Sequence, residues 1–334
     1  GDVHYWEVWH GNKPFSEYRK YFFRYASEFG FQSFPSVKTL ETVTDDPKEL
    51  NPFSYVMEKH QRNYGGNGKI AKYMQAAYRY PENFSDFVYA SQLLQADGIR
   101  YGVEHYRRNR GRCMGAIYWQ LNDCWPVISW SSIDYYGRWK ALHYYVKRFF
   151  APVMLSCEEQ SWMTVEADMN RQHFEFEKSI RLNVTNETLD AHRVLVKWAV
   201  RKTDATILRE EEQWLEVPAL SAVWMDKVEF PQIDCFNEYV SYEAWENDQI
   251  ISQGTVIFSY PKYFHYLNPG LAVRVDGDEI VVKAEAYAKS VEIRNENDDL
   301  ILEDNYFDMN AGEYRVKILD GKPDGLKVRS VYDI

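Results

Sequence analysis

Cysteine is scarce in this sequence, and the four that occur are far apart. Cys113, Cys124, Cys157 and Cys235 form no C-x-x-C pair. Such spacing argues against a disulfide framework and against a zinc site built from cysteines, so free and mostly buried thiols are expected. A reducing compartment fits that expectation.

Long apolar runs are also missing. No stretch approaches the ~18 apolar residues that a membrane helix needs, so no membrane partner is expected. The opening residues, Gly1 to His4, contain neither the basic nor the apolar region of a signal peptide, and no Met begins the chain. We expect a piece of a longer protein with a cytoplasmic location. Periplasmic, secreted and lysosomal locations stay open, because a leader would lie upstream.

Positive charge is the third shortage. Asp and Glu number 50 against 39 Lys and Arg, which gives a net charge of −11. Nucleic acid is therefore not an expected partner, since phosphate binding needs a basic surface. Aromatic residues, in contrast, make up 16% of the chain. They favour aromatic-rich cores first and sugar binding second, because an aromatic face suits the apolar C–H face of a pyranose.

The first part of the chain alternates between strand and helix patterns. Strand-like segments at 24–30 and 113–121 are separated by helical periodicity, and 3–9 resembles the end of a further strand. The apolar run 113–121 is expected to be a buried strand. Such alternation predicts βα units on a parallel sheet. Because a (β/α)8 barrel needs eight strands and about 250 residues, residues 1–152 are expected to be the last part of one.

The rest of the chain is dominated by period-2 alternation, with turn signals at intervals typical of a sandwich. Two prolines in segment 260–269 mark a further boundary. The predicted fold is therefore multidomain. It begins with the C-terminal portion of a (β/α)8 TIM barrel at 1–152. Two immunoglobulin-like β-sandwich domains follow, at 153–262 and 263–334.

Several motifs together carry a family resemblance. They are 1–11 (GDVHYWEVWHG), 27–35 (SEFGFQSFP) and 115–126 (GAIYWQLNDCWP), which is extended by 131–143. Their content, order and spacing resemble the β-mannosidases of glycoside hydrolase family 2, and 304–313 resembles that family's last domain. The resemblance implies two N-terminal β-domains, a catalytic barrel and two C-terminal β-domains. This chain would begin near barrel strand 6.

The resemblance gives Glu28 the leading role. Retaining glycosidases use two carboxylates ~5–5.5 Å apart, one attacking the anomeric carbon and the other acting as acid and base. Barrel enzymes place such groups at the carboxyl ends of strands, and Glu28 ends a short predicted strand just before Gly30. By resemblance it is the nucleophile at the end of strand 7. A salt-bridged surface glutamate is the alternative.

The second carboxylate has no counterpart in this sequence. The resemblance places it in an Asn-Glu pair that ends barrel strand 4, well before the nucleophile. The three Asn-Glu pairs present, at 186–187, 237–238 and 295–296, all follow Glu28 and fall in the predicted sandwiches. The acid/base is therefore expected outside this chain, and the isolated chain is predicted to be inactive.

Aromatic and histidine side chains complete the predicted site. By resemblance Trp119 is the strand-8 tryptophan that packs on the sugar, and Trp125 is its neighbour. Around the predicted strand 6, the candidates for reading the axial 2-hydroxyl of mannose are His4, Trp9 and His10. For each of these three a structural role is favoured over direct contact with the sugar, and for Trp119 a core tryptophan is the alternative.

The predicted function is that of a retaining exo-β-mannosidase, which hydrolyses terminal non-reducing β-D-mannose residues. An exo-β-glucosaminidase of the same family and a non-catalytic carbohydrate-binding or bracing module are the alternatives. The expected partner is a small carbohydrate substrate, a β-mannoside. No metal or cofactor is expected, because two carboxylates do the chemistry. The pattern leaves the oligomeric state open.

Overall fold

Short strands and one long helix make up the first part of the chain in this computed structural model, which describes residues 1–165 and 175–334. The strands are β1 (Val3–His4), β2 (Ala26–Phe29) and β3 (Ala116–Tyr118). The helices are α1 (Val37–Leu40), α2 (Tyr55–Lys59), α3 (Gly66–Ala77), α4 (Phe84–Arg108) and α5 (Ala141–Phe149). Single 3-10 turns lie at Phe15–Lys20 and Pro47–Glu49. No helix within the described ranges is long and apolar enough to cross a membrane.

The three strands form one parallel sheet in the order β1-β2-β3. Along the chain, helices α1 to α4 come between β2 and β3, and α5 follows β3. The predicted βα alternation on a parallel sheet is therefore confirmed. The prediction of a buried strand over 113–121 is wrong, because Ile117 is 51% and Leu121 is 55% exposed. Among the strands that the structure describes, β3 pairs only with β2, which leaves its other edge open.

Helix α4 fixes the position of β2. It begins after Asn83, whose side chain accepts a hydrogen bond from the Asp86 amide and so caps the helix. Two glycines let it approach the sheet closely. A Cβ on Gly98 would lie 2.8 Å from the ring of Phe15, and one on Gly102 would lie 2.8 Å from the ring of Phe29. The last residue of β2 is thus held directly against the helix.

The second part of the chain is an antiparallel β-sandwich. Its strands are β4 (Val153–Gln160), β5 (Ser179–Asn186), β6 (His192–Lys202), β7 (Ile207–Val217), β8 (Ser221–Trp224), β9 (Val228–Glu229), β10 (Glu238–Glu246) and β11 (Gln249–Ile257). One sheet has the order β4-β5-β8, with β9 beside β5, and the other has the order β11-β10-β6-β7. The core between them includes Val184, Val196 and Trp198. A 3-10 turn at Trp162–Thr164 follows β4.

The third part is a smaller sandwich, introduced by a 3-10 turn at Pro261–Tyr263 and closed by another at Val331–Asp333. Its strands are β12 (Ala272–Asp276), β13 (Glu279–Ala284), β14 (Ala288–Arg294), β15 (Ile301–Leu302), β16 (Phe307–Met309), β17 (Gly312–Asp320) and β18 (Lys327–Arg329). They form sheets of order β12-β13-β17-β15 and β16-β14-β18. Two successive all-β units therefore follow the parallel sheet, as the alternation pattern predicts.

The hydrophobic core of the first part continues into the third. Buried residues of α4 and α5 belong to the same cluster as those of β13 and β14. The Tyr89 hydroxyl donates to the Ser290 carbonyl at 2.5 Å, and Arg329 pairs with Asp86 at 3.0 Å. The second part keeps a core of its own. The hydrogen bond from Tyr89 to Ser290 thus joins residues that are 201 positions apart in sequence.

Candidate active site

Glu28 lies near the carboxyl end of β2, the central strand of the parallel sheet. Its backbone carbonyl accepts a hydrogen bond from the Tyr5 amide at 2.7 Å. The carbonyl of the next residue, Phe29, accepts one from the Trp119 amide at 2.7 Å. Both neighbouring strands therefore fix the backbone at this point. The Glu28 side chain itself is 24% exposed, so it is anchored at its base and open at its tip.

Two side chains from the first strand region face the Glu28 carboxylate. The Trp6 indole N–H donates to Oε1 at 2.9 Å. His4 Nδ1 lies 3.7 Å from the same oxygen, which is too long for a hydrogen bond but close enough for electrostatic interaction. The His4 side chain is 60% exposed. Glu28 thus accepts a hydrogen bond on one oxygen from Trp6, while His4 lies near the same oxygen and is largely exposed.

Gly30 allows Trp6, Trp119 and Trp130 to pack closely around the turn that follows Glu28. A Cβ at this position would lie 2.4 Å from the Trp119 carbonyl oxygen and 2.9 Å from Cη2 of Trp6. It would also lie 3.1 Å from Cδ1 of Trp130. The turn after β2 therefore needs a residue without a side chain, because three tryptophans from two other segments meet at it.

Trp119 follows β3 and borders the site beside Gly30. Its side chain is 44% exposed, and the peptide bond that links it to Gln120 is cis. The backbone of Trp119 is fixed to Phe29, while the residue itself is largely open to solvent. Trp119 as the tryptophan that packs on the sugar stays a prediction.

Buried polar groups hold the loop after Trp119 in place. Asp123 accepts hydrogen bonds from the hydroxyls of Ser129 at 2.6 Å and Ser131 at 2.5 Å. The buried Lys140 ammonium donates to the carbonyls of Ser33 at 3.2 Å and Ser129 at 3.5 Å. Burial lowers the pKa of Lys140 to about 8, although Asp123 opposes the shift. These contacts tie the segment after Glu28 to the segment after β3.

A cavity of about 300 Å³ lies elsewhere, between α3, α4 and β11. Several of its charged residues form ion pairs. Glu159 pairs with Arg19 at 2.7 Å, Arg100 with Asp97 at 3.2 Å, and Lys289 with Asp308 at 3.2 Å. Glu28 does not line this cavity, so the cavity and the candidate site at Glu28 are separate.

Comparison with known proteins gives a consistent result. A profile described as Mannosidase Ig/CBM-like domain matches 178–263, and one described as Ig-fold domain matches 266–334. β-Mannosidase B of Thermothelomyces thermophilus is 30% identical over 99% of this chain and 41% of its own length. The solved β-D-mannosidase of Dictyoglomus thermophilum is 27% identical, with a TM-score of 0.84, over 99% of this chain and 40% of that one. This chain is a homologue of the β-mannosidases.

The match covers nearly all of this chain but only part of each relative. The chain spans about two fifths of the length of the curated β-mannosidases that it matches from end to end. A solved exo-chitosanase of Amycolatopsis orientalis has a TM-score of 0.65 at 16% identity, over 95% of this chain. That second likeness concerns the fold alone. The two matched profiles establish immunoglobulin-like domains in the second and third parts.

In this β-mannosidase homologue the predicted site residues occupy different surroundings. Trp9 is fully buried, with its ring centroid 5.0 Å from that of Phe31, and its carbonyl accepts from Lys69 at 2.7 Å. It offers no surface to a ligand, which favours the structural role that the sequence leaves open. His10 is exposed, and its ring centroid lies 5.2 Å from that of Trp6. Desolvation of the imidazole by its neighbours, together with the charge of Lys69, lowers the pKa of His10.

Trp125 lies on the loop beyond Trp119 and is 37% exposed. Its ring centroid is 5.1 Å from that of His60, at the end of α2, and His60 Nδ1 lies 2.6 Å from the Pro126 carbonyl oxygen. The structure therefore joins Trp125 to α2, whereas Glu28 is contacted directly by Trp6 and His4. Trp125 as a substrate-binding residue stays a prediction.

Sequence reasoning did not nominate Trp6, although it belongs to the first motif. Its contact with Glu28 depends on the pairing of β1 with β2, which places His4 opposite Glu28 and which the sequence alone does not give. Lys140 was also missed, because a lysine in a helix-like segment is normally assigned to the surface.

Proposed function

We propose that this chain is the nucleophile-bearing C-terminal part of a retaining exo-β-mannosidase of glycoside hydrolase family 2. Residues 1–152 would then be the last portion of a (β/α)8 barrel, with β1, β2 and β3 as its strands 6, 7 and 8. Supporting this reading are three parallel strands in sequence order, with helices after β2 and β3. In such barrels the reacting groups lie at the carboxyl ends of the strands.

The observation that carries the proposal is the setting of Glu28. The carboxylate stands near the carboxyl end of the central parallel strand and accepts one hydrogen bond on Oε1, and the exposed Trp119 directly follows the adjacent strand β3. In the proposed reaction its free oxygen attacks the anomeric carbon and forms a glycosyl ester. The bond from that carbon to the aglycone oxygen breaks, and the aglycone oxygen takes a proton from the acid. Water then cleaves that ester, which gives net retention.

A second carboxylate has to come from another part of the barrel. The Asn-Glu pairs of this chain all lie in the β-sandwich parts. Glu187 pairs with Arg110 of the first part at 3.1 Å, and Glu238 accepts a hydrogen bond from the Asp234 amide at 3.1 Å. We therefore expect the acid/base to be supplied by a longer polypeptide. The 334-residue chain assayed alone should show no mannosidase turnover.

The test uses that longer polypeptide with aryl β-mannoside and aryl β-glucosaminide as substrates. We expect Glu28→Gln to lower kcat on the mannoside on the order of 10⁴-fold or more, because the covalent route is lost. Glu41→Gln is the matched control, since Glu41 pairs with Lys38 at 3.2 Å at the end of α1. A 2-fluoro-mannosyl fluoride should label Glu28 in the wild type.

Three outcomes would contradict parts of the proposal. A covalent label on a different carboxylate would remove the nucleophile assignment. Much faster cleavage of the glucosaminide than of the mannoside would replace the substrate, while leaving the mechanism in place. Turnover by the 334-residue chain alone would show that no outside acid/base is needed.

A further inference from the structure

Trp6 is held rigidly beside the Glu28 carboxylate. Its ring passes over Gly30, where a Cβ would come within 2.9 Å of Cη2. Trp130 meets it edge-on with ring centroids 6.0 Å apart, and His10 lies on its other side at 5.2 Å. The indole therefore has little freedom to turn, and its N–H points at Oε1 of Glu28 from a fixed position, at 2.9 Å.

This hydrogen bond distinguishes the two oxygens of Glu28. Oε1 accepts from Trp6, whereas no hydrogen bond to Oε2 is recorded within residues 1–165 and 175–334. The titratable group that faces the carboxylate is His4, from β1, at 3.7 Å from Oε1. On the side of β3, the Tyr118 hydroxyl is engaged with Ser132 at 2.8 Å. Hydrogen bonds to a charged acceptor are stronger than neutral ones and favour its ionised form.

We propose that Trp6 is a positioning residue that holds Oε1 of Glu28, so that Oε2 is the oxygen that attacks the sugar. The inference rests on the proposed function of Glu28. As the bond from Oε2 to the anomeric carbon forms, the bond from that carbon to the aglycone oxygen breaks. The aglycone oxygen takes its proton from the carboxylic acid expected elsewhere in the barrel. Trp6 forms no bond to the substrate and acts only through Glu28.

The main variant is Trp6→Phe, in the longer polypeptide that contains this chain. It keeps an aromatic ring and removes the N–H. We expect kcat/KM on aryl β-mannoside to fall by about 10- to 100-fold, which is the usual effect of losing a hydrogen bond to a charged group. The loss should fall on kcat more than on KM.

Two comparisons separate positioning from folding. Trp139→Phe removes an indole from the same part of the chain, where it packs on His143 at 4.5 Å and Tyr144 at 5.3 Å, and it should leave kcat/KM unchanged. Trp6→His keeps a five-membered ring with an N–H, and it should recover part of the activity that Trp6→Phe loses.

Labelling by 2-fluoro-mannosyl fluoride separates this inference from the assignment of the nucleophile. We expect the label on Glu28 in both the wild type and Trp6→Phe, with a rate about 10- to 100-fold lower in the variant. Labelling on Glu28 at an unchanged rate in Trp6→Phe, with kcat unchanged, would overturn the role of Trp6 and leave the proposed function intact. Labelling elsewhere would overturn the proposed function itself.

Discussion

At the scale of single residues, the candidate site depends on one position that has no side chain. Gly30 follows the strand that carries Glu28, and its backbone touches the Trp119 carbonyl on one side and the Trp6 ring on another. Trp6, which donates a hydrogen bond to Glu28, and Trp119, which is proposed to pack on the sugar, thus both lie against Gly30. Any atom added there has to move one of them.

Replacing Gly30 by Ala should therefore disturb the site from within. A Cβ would lie 2.4 Å from a backbone oxygen, which a rotamer change cannot relieve. We expect a loss of about 1–3 kcal/mol in unfolding free energy, as is usual for overpacking. Gly68→Ala is the control, since this helical glycine in α3 has open space around it and should be neutral or stabilising by up to about 1 kcal/mol. Urea unfolding would measure both, and equal effects at the two positions would contradict the packing argument.

At the scale of elements, helix α4 buries polar groups as well as apolar ones. His105 is 1% exposed, and its Nε2 lies 2.8 Å from the Tyr21 carbonyl oxygen. The ring therefore sits between α4 and the segment that leads into β2. Burial lowers the pKa of His105 from 6.5 to about 4. The folded helix accommodates this ring in its neutral form.

Acid should destabilise the protein through His105. Between pH 6.5 and about 4 the unfolded chain binds a proton at this residue and the folded chain does not, so the free energy of unfolding falls as the pH falls. The full effect is about 3 kcal/mol, reached near pH 4. In His105→Gln this contribution is absent, and the stability advantage of the wild type should shrink steadily over that range. Urea unfolding at several pH values would measure it, and a constant difference would contradict the argument.

How far the sequence predicts these elements depends on what surrounds them. The βα alternation and the two sandwiches follow from local periodicity, which survives without knowledge of neighbours. The burial of 113–121 was not predictable, because it depends on whether a further strand pairs with β3. The same holds for Trp9 and Trp119. Both are tryptophans near strand ends, yet Trp9 is fully buried and Trp119 is 44% exposed.

At the scale of the whole molecule, the order of units along the chain differs from their order of contact. The first part shares a core with the third, whereas the second part has its own. Tyr89 of α4 is an example, because it is fully buried, donates to Ser290 in β14 and stacks with Tyr306 at a centroid distance of 6.3 Å. Stability should then be shared by the parallel sheet and the last sandwich more than by sequence neighbours.

Native-state hydrogen exchange would test this coupling. Tyr89→Ala should cost about 3–5 kcal/mol, and the loss of protection should appear equally in α4 and in β14, because both belong to one cooperative unit. Trp198→Ala is the counterpart in the second part, where the buried indole packs on Phe230 at 5.6 Å. Its effect should appear mainly in β6 and β10. If Tyr89→Ala instead weakened α4 alone and left β14 protected, the shared core would be a contact surface without cooperativity. The last sandwich would then not be a stabilising partner of the strands that carry Glu28.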